Sequence, residues 1–436
     1  MLALTFALVS ELTLVDITQS AYHFVLVLDY VQSVYIKQPT VLPADFERMI
    51  REPVWFIDQN SKNLSQLLET YETNITKYYP PSETKGDGRW TLIGTTEEHQ
   101  FYADQISLGF VRDLEEELTH FPSVELSKQL AQDNCSFGAS LDIRMVNSSD
   151  WLIGGDKEAP VDFSKKGACQ IYQRMLDDLF TRTELSVGYF DSTYQINRWV
   201  MSIEDPVVRA RPNQYWTTML ECVAQLADSK RSLISKVAFK SQHLPIWPKS
   251  YNDLATVLSL SMAGYSWLIT SISTYIQGES VEKKQEEFVR DMQAHTLMPV
   301  LSFYAKGNLD DEYRGSLPLN TTAETRAIIS KLMALHNEHV DLFVELAKRR
   351  VRDGSPIIRP MWYEAPDDAR TYPIADQYML GENIVVAPVM EEGKRERQVY
   401  LPPGTWIDQH GRSFEGPGEF LVAAPLEELP YFKRKI

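Results

Sequence analysis

The chain carries two patterns of apolar and polar positions, and the change between them falls near Gly354. From Pro53 onward, short β-prone runs alternate with stretches whose apolar residues recur at helical spacing. Residues 54–57 are such a run, and residues 62–77 then carry Leu64, Leu67, Leu68, Tyr71 and Ile75 at helical spacing. Residues 79–96, rich in Pro, Gly and mixed charge, read as a long loop, and residues 106–111 are a second apolar run. Residues 123–133 read as a helix capped by Ser123. Residues 137–146 alternate, with Phe137, Ala139, Leu141, Ile143 and Met145 on one face, which predicts a strand. Ser164 is placed to cap a helix with an apolar stripe of Ala168, Ile171, Tyr172, Met175, Leu176, Leu179 and Phe180, and that helix feeds a strand over 185–190.

Further on, residues 254–263 predict a helix ending at Gly264, residues 265–269 a strand, and residues 279–292 a charged helix. Thr321 and Glu324 form a capping box before one long helix over 323–350, whose basic end (Lys348, Arg349, Arg350) suits the macrodipole. Repeated strand–helix–strand units imply parallel pairing with right-handed crossovers, which a barrel and a doubly wound sheet satisfy equally. After Gly354 the pattern becomes short strands divided by Gly and Pro, at 357–363, 383–389, 397–401 and 419–423, and predicts an antiparallel β domain. Residues 1–48 are β-rich, at 23–28 and 33–36, with a Pro-containing linker, and are too short for a free-standing domain. No fixed-period repeat is visible.

A chain of 436 residues suggests two or three domains, and 44% hydrophobic residues support a large core. The net charge of −17 argues against a nucleic-acid partner and fits a neutral ligand. The cysteines, Cys135, Cys169 and Cys222, are too few and odd in number for a disulfide framework. With no CxxC and no His/Cys cluster, neither a metal site nor a cofactor is expected. Residues 1–10 are apolar but lack a basic n-region and are too short to span a bilayer, so they make a poor signal peptide. Asn63, Asn74, Asn134, Asn147 and Asn320 each open an Asn-x-Ser/Thr sequon, an acceptor for glycans only in the secretory pathway.

The chemistry-bearing stretch is LSVGYFDSTYQIN, residues 185–197, in which Asp191 stands where the apolar run stops. At the C-terminal end of a barrel strand such a carboxylate reaches the active-site mouth. The alternative is an Asp that caps the next helix or fixes a turn.

Three segments of the β domain resemble family-31 glycoside hydrolases: SPIIRPMWYEAPDD, ADQYMLGENIVVAPVMEEGKRERQVYLPPGTWID and LEELPYF. The order is the specific part: Arg-Pro before an aromatic, then Asp-Gln-aromatic-x-Leu-Gly, an apolar strand ending Ala-Pro-Val, and Tyr-Leu-Pro-x-Gly-x-Trp. FKSQHLPIW, TVLSLSMAGYSWL and REPVW are similar to pieces of the myogenesis-regulating glycosidase branch of that family. PVDFSKKGACQIYQRMLDDLF with VGYFDSTY resembles the helix and strand that lead to its nucleophile. The resemblance implies an α/β fold: a (β/α)8 TIM barrel over 49–353, a C-terminal antiparallel β-sandwich domain over 354–436, and a remnant of an N-terminal β-sandwich over 1–48. It implies retaining α-glycosidase chemistry on terminal α-linked sugars, with carbohydrate as the partner and a secretory-lumen or extracellular location.

In that chemistry one carboxylate attacks the anomeric carbon while a second, about 5–5.5 Å away, protonates the leaving oxygen and then activates water. By the resemblance, Asp191 holds the nucleophile position. Ser192, Thr193, Tyr194 and Gln195 follow it where active relatives have small residues and then a Glu. The segment that carries the acid in relatives is shortened here: residues 241–247 run almost directly into residues 248–254, and Asp253 is the nearest substitute. Thr270–Ser273 replace an Asp and glycines, Arg290-Asp291 replaces an Arg-Trp pair, and Arg112-Asp113 is the local candidate for an acidic pair. Trp151, Tyr194, Trp199 and Trp247 are aromatic faces on which a sugar could stack, against ordinary packing. His295, His336 and His339 are expected at satisfied helical positions, and Arg359 in a structural ion pair. These departures set a catalytically silent protein that binds carbohydrate or a protein partner beside the enzyme.

Overall fold

A computed structural model of the chain describes residues 42–51, 54–59, 90–95, 101–102, 135–142, 144–146, 152–155, 158–183, 186–190, 200–210, 212–226, 231–235, 254–265, 267–273, 281–307 and 322–435. The predicted elements at 62–77, 106–111 and 123–133 lie outside these residues, as do the predicted strands at 23–28 and 33–36 and all five sequon asparagines.

The first layer is a parallel sheet. Its strands are β1 (Val54–Gln59), β2 (Trp90–Thr95), β3 (Phe101–Tyr102), β4 (Cys135–Asp142), β7 (Val187–Phe190), β8 (Ser232–Ser235), β9 (Thr270–Ser273) and β10 (Leu301–Gly307). A short hairpin of β5 (Arg144–Val146) and β6 (Glu158–Pro160) leaves the end of β4. The sheet order is β8-β7-β4-β2-β1-β10-β9, with β3 also pairing β4, and each pair along it is parallel. Among the described residues, and apart from β3 and the β5–β6 hairpin, this is a cyclic order: neighbours follow one another along the chain, and β10 returns to pair with β1.

The helices alternate with these strands: α1 (Ala44–Arg51), α2 (Ala168–Thr183), α3 (Pro206–Arg209), α4 (Pro212–Ala224), α5 (Leu254–Met262) and α6 (Val281–His295). Their apolar stripes fill the core, with Leu176 and Leu179 of α2 and Met219 and Val223 of α4 among the buried residues around β7. Helix α1 runs through residue 48, and its Phe46 ring lies 5.1 Å from that of Trp267 in the same core.

Several expectations shift by a few residues, each because tertiary pairing or local turn chemistry overrides the sequence pattern. Residues 90–95, expected as part of a loop, form β2, because ladders to β1 and β4 on both sides outweigh the local Gly. The strand expected at 265–269 lies instead at Thr270–Ser273, paired to β10. Ser164 does not cap α2: it folds back on Asp162, and α2 begins at Ala168. The long helix divides at His339 into α7 (Ala323–Glu338) and α8 (Val340–Asp353), where the His339 N–H takes a tighter bond to the His336 carbonyl at 2.9 Å. Thr322 rather than Thr321 caps α7, its hydroxyl accepting from the Thr325 N–H at 3.1 Å. Gly354 closes α8 in the left-handed conformation at φ 80°.

The second layer is an antiparallel sheet of β11 (Ile358–Arg359), β12 (Tyr378–Leu380), β13 (Ile384–Val386), β14 (Glu396–Asp408), β15 (Ser413–Ala423) and β16 (Tyr431–Arg434), in the order β11-β12-β13-β16-β14-β15. Among the described residues these strands form one sheet where a sandwich was expected. The long β14–β15 hairpin carries a register shift between Leu401 and Gly404, a break of the kind that bends a ribbon. Strand β11 stops before Pro360, which has no N–H for the ladder, and a helical turn, α9 (Met361–Glu364), follows. Alternation sorts this sheet's side chains between two cores. Tyr378, Leu380, Ile384 and Val386 join the large core with the helices. Met379 and Val385 face a second core with Tyr400, Trp406 and Phe432.

Candidate active site

Because the strands of the first sheet run parallel, their carboxyl ends share one edge, the edge at which barrel and open α/β sheets hold ligands. Strand β7 is buried along its whole length, and its last residue, Phe190, is the register partner of Leu141 on β4 and Ser235 on β8. Asp191 is the next residue in the chain. Asp191, Asp253, Trp151, Tyr194 and Trp247, together with Trp199 and Arg112-Asp113, lie outside the described residues.

The same edge carries charged positions that the sequence reading passed over. Asp58, in β1, is the Cα register partner of Lys306 in β10, and Asp142 closes β4. The signal for Asp58 was present: VWFID in β1 ends as VGYFD does at Asp191, an apolar run stopping at a carboxylate.

The connections after β4 and β7 are tied to one another. Asp162, fully buried, accepts from the Glu204 N–H at 2.9 Å through Oδ2. Its Oδ1 accepts from the Ser164 N–H at 3.1 Å and the Ser164 hydroxyl at 2.5 Å. The Tyr215 hydroxyl of α4 donates to the Val161 carbonyl at 2.8 Å. Cys169 of α2 and Cys222 of α4 form a disulfide, with Cα atoms 5.7 Å apart. The cysteines had been read as too few for a framework, and spacing alone could not show that α2 and α4 pack side by side.

Among the described residues, the groups with displaced pKa values lie elsewhere, on α6 to α8 and in residues 354–435. Burial pushes the His336 imidazole down to about 4, with its Nδ1 2.9 Å from the Thr296 carbonyl. His295 and His339 are buried, each with Nδ1 2.8 Å from a backbone carbonyl, as the sequence reading expected. Arg359 pairs with Glu364 and donates to the Pro356 carbonyl at 2.9 Å, also as expected. A cavity of about 20 Å³ lies among Val257, Ser261, Thr270, Met298 and Ile358, beside the starts of β9 and β10. It has room for a water molecule, not a sugar. Among the described residues no group of three or more His, Cys, Asp or Glu could hold a metal ion, and no helix is long and apolar enough to cross a membrane.

Residues 354–435 match the glycosyl hydrolase family 31 C-terminal domain. The chain is 33% identical over 312 residues to the myogenesis-regulating glycosidase of Mus musculus, covering 63% of this chain and 40% of that protein. It is 28% identical over 191 residues to neutral alpha-glucosidase AB of Homo sapiens, covering 43% of this chain and 19% of that protein. The chain thus spans less than half the length of these two relatives. Among solved structures, the fold resembles a GH31 alpha-xylosidase from a soil metagenome complexed with xylose. The TM-score is 0.67 at 18% identity, over 91% of this chain and 64% of that chain. Residues 354–435 thus resemble a family-31 C-terminal domain, and the chain is similar to family-31 glycoside hydrolases, the myogenesis-regulating glycosidase among them.

Proposed function

We propose that this chain is a retaining α-glycosidase of the family-31 type, acting on terminal α-linked sugars with Asp191 as nucleophile. One observation carries the reading: β7 is a fully buried parallel strand between β4 and β8, and the residue that follows it is a carboxylate. The cyclic strand order supports a (β/α)8 barrel, closed between β8 and β9, with its mouth at the carboxyl edge. The division into 1–48, 49–353 and 354–436 goes with that reading, and the family match over 354–435 supports the last boundary.

In the reaction, the Asp191 carboxylate attacks the anomeric carbon as the glycosidic oxygen departs with a proton from the acid. Water then hydrolyses the glycosyl ester. Asp253 is the candidate acid, and Trp151, Tyr194 and Trp247 are the candidate stacking faces. The Cys169–Cys222 disulfide supports folding in an oxidising compartment, where the sequons are glycan acceptors.

A second reading is a catalytically silent protein that binds carbohydrate or a protein partner. It is favoured by the shortness of the chain between β8 and α5: residues 236–253 are all that remain where relatives carry the acid.

The test is steady-state hydrolysis of aryl α-glucoside and aryl α-galactoside beside an Asp191→Ala control. An activated aryl leaving group needs little protonation, so the assay reports on the nucleophile even with a weak acid. Turnover lost in Asp191→Ala supports the enzyme. No turnover above that control sinks it in favour of the silent protein.

A further inference from the structure

Helix α5 meets the second sheet through a serine that does not bond within its own helix. Ser259, on the exposed face of α5, donates back to the Ala255 carbonyl at 2.8 Å, the local bond open to a helical serine. Ser261, buried, donates instead to the Ile358 carbonyl of β11 at 2.6 Å, 97 positions along the chain. A hydroxyl that has given its one proton keeps lone pairs that can accept. Thr270, the first residue of β9, lines the same cavity of about 20 Å³ as Ser261 and Ile358. Its carbonyl takes the Ser302 hydroxyl of β10 at 2.5 Å. Its own hydroxyl has no hydrogen-bond partner among the described residues, although Thr270 is only 3% exposed. In a strand it has no carbonyl one helical turn back to bond.

A buried hydroxyl without a partner lowers the folding equilibrium constant by roughly tenfold or more. One water molecule needs roughly 10–15 Å³, which this cavity exceeds, together with polar groups to bond. The walls supply the Thr270 and Ser261 hydroxyls, and Val257 and Met298 are apolar.

We propose that this cavity is a binding site for one structural water, which accepts the Thr270 hydroxyl proton and donates to the Ser261 oxygen. Through Ser261 and its bond to Ile358, the water joins β9 of the parallel sheet to β11 of the antiparallel sheet. The site lies at the starts of β9 and β10, the edge opposite the carboxyl ends, and stands whether or not the chain is a glycosidase.

Thr270→Val keeps the shape and removes the hydroxyl, so the sign of its effect is the test. With water bound, the variant takes away one of the water's partners. The folding equilibrium constant, read from urea unfolding of the full chain, then falls about tenfold. In a dry cavity the same variant removes an orphan hydroxyl and the constant rises. A rise, or no change, overturns the proposal.

Ser261→Ala loses the bond to Ile358 whether the cavity is wet or dry, so it is read in combination. Because one water serves both hydroxyls, Thr270→Val and Ser261→Ala together are expected to be less damaging than the product of the two, by about fivefold. Independent effects overturn the bridge. In a crystal structure of the full chain, an ordered water within hydrogen-bond distance of both hydroxyls is the expected result, and a cavity without density there overturns the site.

Discussion

Cys169 and Cys222, 53 positions apart in sequence, are joined in a disulfide that staples α2 to α4, the helices before and after β7. Beside it the Gln173 amide donates to the Cys222 carbonyl at 2.7 Å. Closing a loop of this length removes conformations from the unfolded chain, by about 4 kcal/mol in the chain-entropy account. Cys169→Ser with Cys222→Ser is expected to lower unfolding stability by about that amount, read from denaturant midpoints. Mass spectrometry of the non-reduced wild type should find a linked Cys169–Cys222 peptide pair, and two unlinked peptides would contradict the staple.

Helix α6 is tied to the turn between β13 and β14 through a charged cluster. Arg290 of α6, 5% exposed, donates to the Lys394 carbonyl at 2.6 Å and to Gln293 at 3.0 Å. Glu286 takes Arg395 at 2.6 Å and the Gly393 N–H at 3.0 Å. The Arg395 guanidinium holds the Glu286 carboxyl below its ordinary value of 4.5. Its contribution is therefore complete above about pH 4.5 and is lost as pH falls through the lower folded value. Glu286→Gln is expected to flatten the acid limb of the stability profile. Arg290 also lies 3.5 Å from the Glu286 carboxylate, and Arg290→Ala, which removes one partner of this largely buried pair, is expected to cost about 3 kcal/mol.

His336 titrates in the opposite sense from a salt-bridged histidine. Burial pushes its pKa from 6.5 to about 4, the neighbouring His339 adding in the same direction and the Thr296 carbonyl opposing. The unfolded chain takes up the proton first, so stability is full above about pH 6.5 and declines as pH falls towards about 4. The difference corresponds to about 3 kcal/mol across that range. Urea midpoints of wild type and His336→Gln, compared at several pH values between these limits, should converge as pH falls, and parallel curves would refute the assignment.

Gly381 turns β12 into β13 at φ 57°, and a Cβ there would meet Leu346 of α8 at 2.8 Å. Next to it Glu382 takes a two-pronged bond from Arg349, at 2.9 and 3.1 Å. Gly381→Ala is expected to cost about 1–3 kcal/mol through strain and overpacking. A fall in Tm without any change in the Cys169–Cys222 linkage would place the damage at this docking contact.

Much of the architecture was legible in the chain. The switch near Gly354 follows from a change of hydrophobic period, which is local information. So do the strand before Asp191 and the helices with clear stripes, α2, α5 and α6. The capping motif before α7 was legible to within one residue, because Thr321 and Thr322 offer the same chemistry and only the backbone angles choose between them.

Tertiary structure decided what depends on partners distant in sequence. Residues 90–95 look like a loop until β1 and β4 pair on both sides, and 270–273 become a strand only beside β10. The tie from Asp162 to Glu204 spans 42 residues, and the Cys169–Cys222 bond spans 53. Asp191 stands out in the sequence because a carboxylate ending an apolar run is a local pattern. Asp162 does not, because its role consists of which backbone amide, far along the chain, the fold brings to its oxygen.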